Sequence, residues 1–222
     1  MGYDVILACR SRQKGEEAAT QINSSKKLGG KAYFLHPLDL SSFSSIRQFV
    51  SIFSETHDTL HILINNAGIN TTGISHNDDK SFDLCFQTNY LGHYLLTRLL
   101  TPYLFQAKNI HYQQQQQNND NDNNDGKKMM VEAGRVVNLS SVTHHFVRPD
   151  EKRYNGIKEQ KKINQSLQET MNHDWWKGCA TPGVSTNTYK ESKLAAILFT
   201  QELNKRYSKH GLRAVTVNPG AV

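Results

Sequence analysis

Five short apolar runs, separated by helical sequence or by insertions, constrain the fold of this chain more than any other feature. They occupy residues 5–9, 32–36, 60–64, 135–139 and 213–217, and they read as continuous rather than alternating. Strands of that kind belong to a parallel sheet covered by helices on both faces. Helices are predicted over 13–27, 42–55, 82–105 and 186–208. Ser41 and Ser42 open the second helix, because a hydroxyl can accept the free N–H groups of a first turn. Gly29-Gly30 falls between a charged helix and a strand and reads as a helix stop. Strand-helix-strand repetition is βαβ construction, which gives an α/β fold with a parallel sheet. At 222 residues with 37% hydrophobic content, a single domain over 1–222 can bury one core.

Two stretches break the pattern. Glutamines 113–117 and the Asn/Asp-rich residues 118–125 cannot bury enough apolar area to offset their ordering entropy, so 111–130 is predicted to be a surface loop. A second insertion over 148–184 contains Trp175-Trp176, which either line an apolar pocket or pack the insertion itself.

Composition removes several classes of function. No apolar run approaches the roughly 20 residues of a membrane-spanning helix, and the first residues lack the regions of a signal peptide. Cys9, Cys85 and Cys179 have no metal-ligand spacing and leave an odd thiol over, so a reducing compartment is expected and no metal is. The net charge of +6 comes partly from lysine-rich insertions such as 158–162, which read as a solvated face, and no aromatic-basic interleaving suggests nucleic acid. The sequons at Asn23, Asn70, Asn138 and Asn164 are taken as unused, Asn138 lying in a predicted buried strand.

The chemistry concentrates on four polar residues. Tyr189 and Lys193 stand one turn apart on one helix face, where an ammonium can favour the ionised form of a phenol whose ordinary pKa is about 10. Alone, such a pair is more often a solvated helix surface. Ser141 ends a predicted buried strand, where its hydroxyl can meet a substrate oxygen, and Asn89 sits in a long apolar helix, either with a role at the site or with a purely structural hydrogen bond.

The order of these residues and the stretches around them resemble the short-chain dehydrogenase/reductase family. They are Ile6-Leu7-Ala8-Cys9-Arg10, Asn65-Asn66-Ala67-Gly68, Asn89-Tyr90-Leu91-Gly92-His93-Tyr94-Leu95-Leu96-Thr97, Arg135-Val136-Val137-Asn138-Leu139-Ser140-Ser141, the run from Tyr189 to Thr200, and Asn218-Pro219-Gly220. Within the family the match is to retinol dehydrogenase-like members. Tyr189-Lys190-Glu191-Ser192-Lys193 and Gly92-His93 are also similar to light-dependent protochlorophyllide reductases, which Asn65-Asn66-Ala67-Gly68-Ile69 fits less well.

The resemblance implies a Rossmann-like doubly wound sheet of order 3-2-1-4-5-6. It also implies that the chain enters at the family's second strand, without the first strand and the Thr-Gly-x-x-x-Gly-x-Gly turn, and ends before the last strand. Apolar edges are then expected on 5–9 and 60–64, unless these two strands pair with each other.

By resemblance Tyr189 is the acid or base at the reacting oxygen, Lys193 holds the nicotinamide ribose and lowers the phenol pKa, Ser141 rather than Ser140 positions the oxygen, and Asn89 bends its helix and holds a proton-relaying water. Asp39-Leu40 would meet the adenine, Asn66, Ala67 and Gly68 the adenosine ribose, and Pro219 and Gly220 the nicotinamide. The second strand ends in Cys9-Arg10-Ser11 with no acid, so Arg10, unless an ordinary surface arginine, favours a 2′-phosphate and hence NADP(H). The expected substrate is a small apolar alcohol or carbonyl compound, retinoid-, steroid- or lipid-like. The second insertion is expected near the substrate entrance. A non-catalytic remnant or interaction fragment is the competing expectation. Location in the cytoplasm or at the cytosolic face of a membrane is expected, with attachment through a further N-terminal segment and the oligomeric state both left open.

Overall fold

The computed structural model describes residues 2–25, 29–77, 80–119, 133–147, 179–180, 182–183 and 187–220. The first unit is β1 (Val5–Leu7), α1 (Arg12–Ser24) and β2 (Ala32–Phe34), with β1 and β2 parallel and Val5 opposite Ala32. Ser11 caps α1, its Oγ accepting from the Lys14 N–H at 3.3 Å. Gly15 lets the helix lie close on the strands: a Cβ there would stand 2.2 Å from the Phe34 ring and 3.0 Å from Cys9 Sγ. Asn23 closes the unit, its side-chain amide bonding both the N–H and the C=O of Ala32 at 2.8 and 2.6 Å.

Next come α2 (Phe43–Thr56), capped by Ser42, and β3 (Ile62–Asn65). A hairpin of β4 (Ile74–Asn77) and β5 (Lys80–Asp83) leads into the short α3 (Leu84–Phe86), a π-turn (Gln87–Leu91) and the long α4 (Gly92–Asn119). β6 (Arg135–Leu139) is followed by a 3₁₀ turn (Val142–Phe146); α5 (Thr188–Tyr207), a second 3₁₀ turn (Ser208–His210) and β7 (Arg213–Val217) complete the described chain. β6 lies between β3 and β7 with all three parallel, which makes an α/β fold of Rossmann type. The core gathers Leu38, Ile46, Phe49 and Phe53 with Leu96, Leu100, Leu104, Val136 and Phe199. Full burial of such side chains contributes about 1.5–3 kcal/mol each.

A buried polar row fixes the register of β3, β6 and β7. Asn65, Asn138 and Thr216 are register partners. Asn65 Nδ2 donates to Asn138 Oδ1 at 2.8 Å and to Thr97 Oγ1 at 2.9 Å, and Asn138 Nδ2 donates to Thr200 Oγ1 at 2.9 Å, which also accepts from Thr216 Oγ1 at 2.7 Å. A one-residue slip would break the whole row and turn it to the wrong face.

Several expectations are corrected. The helix predicted over 82–105 begins instead as strand β5, then breaks at the π-turn. The loop predicted over 111–130 is helical through Asn119, because glutamine is a good helix former and extending α4 needs no new nucleus; the remainder of that loop lies outside the described residues. The same holds for Trp175-Trp176, residues 158–162 and nearly all of the 148–184 insertion. The sheet of β3, β6 and β7 is covered on one face only among the described residues: Leu63, Val136 and Ala214 are buried, while Ile62, Ile64, Val215 and Val217 are exposed. β1 and β3 sit in different sheets and do not pair with each other.

Candidate active site

The proposed functional residues lie in the loops that follow the parallel strands of two sheets, β1–β2 and β3–β6–β7. Arg10 follows β1, Asp39-Leu40 follow β2, Asn66-Ala67-Gly68 follow β3, Ser140-Ser141 follow β6, and Asn218-Pro219-Gly220 follow β7. The carboxyl ends of such strands are where open α/β sheets bind ligands.

Helix α5 enters this end with Tyr189 and Lys193 one turn apart, the Lys193 Nζ 5.5 Å from the centre of the Tyr189 ring. Nζ donates to the Leu139 carbonyl at 3.2 Å, so the end of β6 fixes the ammonium. Burial pulls the pKa of Lys193 down, and the nearby Cys85 thiol opposes that shift. Ser140 is buried and engaged, its Oγ donating to the Lys193 carbonyl at 2.9 Å and its N–H to the Val217 carbonyl at 2.9 Å. Ser141 is half-buried and caps the 3₁₀ turn, its Oγ accepting from the Thr143 N–H at 3.3 Å. That turn packs against α5, with the Lys190 ammonium 5.9 Å over the Phe146 ring. Ser140 thus braces the helix, and Ser141 is the less buried of the two.

Asn89 lies in the π-turn, a feature often found at functional sites. Its side chain holds a loop rather than facing solvent: Oδ1 accepts from the Ile69 N–H at 2.8 Å, and Nδ2 donates to the Ile69 carbonyl at 2.8 Å and to Ser192 Oγ at 3.1 Å. Cys85 Sγ donates to the same Ile69 carbonyl at 3.2 Å, and burial with Asp83 nearby holds the thiol pKa up. The loop after β3 is therefore tied to α5 through a residue lying between Tyr189 and Lys193. Gly68 sits inside this arrangement, since a Cβ on it would come 3.3 Å from Lys193 Nζ and 3.4 Å from Asn89 Oδ1. Ile69, Cys85, Ser192 and His93 were given no role at the site by sequence reasoning. The available signal was spacing: Ser192 is three residues after Tyr189, and His93 is four after Asn89.

On the β1–β2 unit, Arg10 is exposed immediately before the N-terminal turn of α1. Asp39 Oδ1 accepts from the Ser41 N–H and hydroxyl at 2.9 and 2.6 Å, and the Leu40 carbonyl accepts from Gln87 Nε2 at 3.3 Å, joining the opening of α2 to the π-turn. Gly220 takes φ +88°, a left-handed conformation suited to glycine, with its N–H bonded to Asn218 Oδ1 at 3.1 Å. Among the described residues, no cluster of three or more His, Cys, Asp or Glu could hold a metal ion, and no helix is long and apolar enough to cross a membrane.

Comparison with known proteins agrees with this architecture. A family model described as short chain dehydrogenase matches residues 1–110. Mouse retinol dehydrogenase 12 is 34% identical over 221 residues and human retinol dehydrogenase 11 is 32% identical over 221, each match covering 100% of this chain and 54% of the relative. The chain thus spans about half the length of these curated relatives. A metagenomic short-chain oxidoreductase crystallised with NADP superposes with a TM-score of 0.60 at 20% identity, over 100% of this chain and 71% of that structure. The chain is similar over residues 1–110 to the short chain dehydrogenase family and along its whole length to the retinol dehydrogenases.

Proposed function

We propose that this chain carries the active site of an NADP(H)-dependent oxidoreductase that interconverts an alcohol and a carbonyl on an apolar, retinoid-, steroid- or lipid-like substrate. The observation that carries this reading is the fixed pairing of Lys193 with Tyr189, the ammonium 5.5 Å from the ring centre and held by the Leu139 carbonyl, in a loop and helix constellation that Asn89 binds together. Tyr189 gives a proton to a carbonyl oxygen in reduction or takes one from an alcohol in oxidation. Ser141 positions that oxygen. Lys193 orients the cofactor ribose, and Asn89 holds the water that passes protons on from Lys193.

The residues present fit a nicotinamide dinucleotide at both of its ends. Arg10 and the amino terminus of α1 suit the adenosine 2′-phosphate. Asp39 and Leu40 suit the adenine, Asn66, Ala67 and Gly68 its ribose, and the absent Cβ of Gly68 leaves Nζ of Lys193 open towards a ribose. Pro219 and Gly220 suit the nicotinamide, which when bound supplies or accepts the hydride. The separation of the β1–β2 and β3–β6–β7 sheets among the described residues favours the second reading of a non-catalytic remnant.

NADPH-dependent reduction of retinaldehyde and of straight-chain aldehydes by the chain separates the two. With turnover present, Tyr189→Phe is expected to lower kcat more than about tenfold with NADPH affinity kept within about twofold, a loss confined to the transition state. Turnover in Tyr189→Phe above a tenth of wild type removes Tyr189 from the mechanism, and no turnover in the wild-type chain supports the remnant.

A further inference from the structure

His93 stands one turn beyond Asn89, buried, with Nδ1 donating to the Asn89 main-chain carbonyl at 3.0 Å. A backbone carbonyl only accepts, so this bond fixes the neutral tautomer with the proton on Nδ1. The site itself gives a reason for such a tie. A π-turn hydrogen-bonds five residues apart, as from the Gly92 N–H to the Gln87 carbonyl, and it competes with the α-helix on either side of it. On one side the turn is clamped against α2: Gln87 Nε2 reaches the Leu40 carbonyl at 3.3 Å, and a Cβ on Gly92 would come 2.3 Å from that same oxygen. Towards Ile69 and α5, the ties are the Asn89 amide and, to Ile69, Cys85 Sγ; the His93 ring holds the Asn89 carbonyl from within the helix.

We propose that His93 is a positioning residue, which grips the Asn89 carbonyl and so holds the Asn89 amide where it binds Ile69 and Ser192 and keeps Tyr189 and Lys193 in register with the loop after β3. Burying an imidazole costs free energy that an apolar side chain of similar size avoids, and a single bond to this carbonyl is what the ring gives in return. The ring also stays uncharged beside Lys193, since burial and the nearby ammonium both lower its pKa. The role of His93 in turnover rests on the oxidoreductase reading; its role in holding the loop does not.

The test compares His93→Phe, which keeps a ring without the donor, with His93→Asn, whose amide can offer an N–H near the position of Nδ1, in the 222-residue chain. Amide hydrogen exchange is read at Ile69 and, as a control for global unfolding, at Leu104 and Val136; kcat and KM are read with NADPH and an apolar aldehyde. Expected for His93→Phe is exchange at Ile69 faster by about tenfold or more with the controls within about threefold, and kcat down by about tenfold with KM nearly kept. His93→Asn is expected to bring both back to within about threefold of wild type. Wild-type exchange at Ile69 in His93→Phe, or equal acceleration at all three amides, overturns the proposal. If the wild-type chain has no turnover, the oxidoreductase reading falls and the exchange data still decide the role of His93. If His93→Phe does not fold, nitrogen NMR of the wild-type ring decides: a proton on Nδ1 supports the proposal, and a proton on Nε2 overturns it.

Discussion

At the scale of the residue, the site is a set of buried polar groups whose partners are backbone as often as side chain. Ser140 and Ser141 are neighbours with different partners: one is spent on the Lys193 carbonyl, the other caps the 3₁₀ turn after β6. The same distinction applies to the exposed Arg10. If it pairs with a 2′-phosphate, Arg10→Asp replaces an attraction with a repulsion, and NADPH affinity is expected to fall at least about tenfold more than NADH affinity. Fluorescence titrations of both cofactors against both proteins check this, and an unchanged preference refutes the assignment.

His93 adds a pH dependence whose sign follows from its pKa, lowered from 6.5 to about 4 by burial, with the nearby Lys193 ammonium lowering it further and the hydrogen bond to Asn89 opposing. The unfolded chain takes up this proton more readily than the folded one. The contribution of the neutral ring is therefore complete above pH 6.5 and is lost as pH falls through about 4. The drop from 6.5 to about 4 corresponds to about 3 kcal/mol. Urea unfolding between pH 7 and pH 4 is expected to reveal a loss of that order beyond the loss in His93→Asn; parallel curves for the two proteins would sink the idea.

At the scale of the element, packing decides what periodicity cannot. The parallel strands, the helix caps at Ser11 and Ser42 and the helix bearing Tyr189 and Lys193 follow from local sequence, because capping and burial are set by residues within a turn or two. The hairpin β4–β5 was not legible, since 71–83 is polar and carries no alternating apolar signal. The π-turn was also hidden: one extra residue in a turn leaves the apolar spacing of a long helix nearly unchanged, and what holds it, such as the Leu40 carbonyl, comes from 47 residues away. The pairing of Lys193 with Tyr189 was legible through spacing and the family resemblance, whereas the ties of Ile69, Ser192 and His93 to Asn89 were not.

The row of Asn65, Asn138, Thr200 and Thr216 illustrates the same limit, because Asn65 and Asn138 meet across 73 residues. Asn138→Ala leaves Asn65 and Thr200 each short of a partner and opens a small void, so a loss of about 2–4 kcal/mol is expected in urea unfolding. A change under about 0.5 kcal/mol would mean the row is not what sets the register.

At the scale of the whole molecule, one asymmetry dominates. Helices α2, α4 and α5 bury one face of the β3–β6–β7 sheet through Leu63, Val136 and Ala214, while Ile62, Ile64, Val215 and Val217 on the other face have exposures of 36, 60, 50 and 42%. These residues lie on adjoining parallel strands with β6 between, so their side chains form one surface rather than scattered points. Soluble monomers rarely leave a contiguous apolar patch of more than a few hundred Å² in water. In the other parallel sheet, Val5 is 46% exposed on β1, which has a single partner strand among the described residues. Such surfaces and edges associate with copies of themselves unless something covers them. The 222-residue chain is therefore expected to self-associate at micromolar concentration, and Ile64→Lys combined with Val215→Lys is expected to shift it towards monomer with the core unchanged, because neither residue reaches the buried face. Sedimentation velocity of the two proteins over a concentration series checks the expectation. A wild-type chain that stays monomeric throughout the series refutes it, and would mean that residues beyond those described already cover this face.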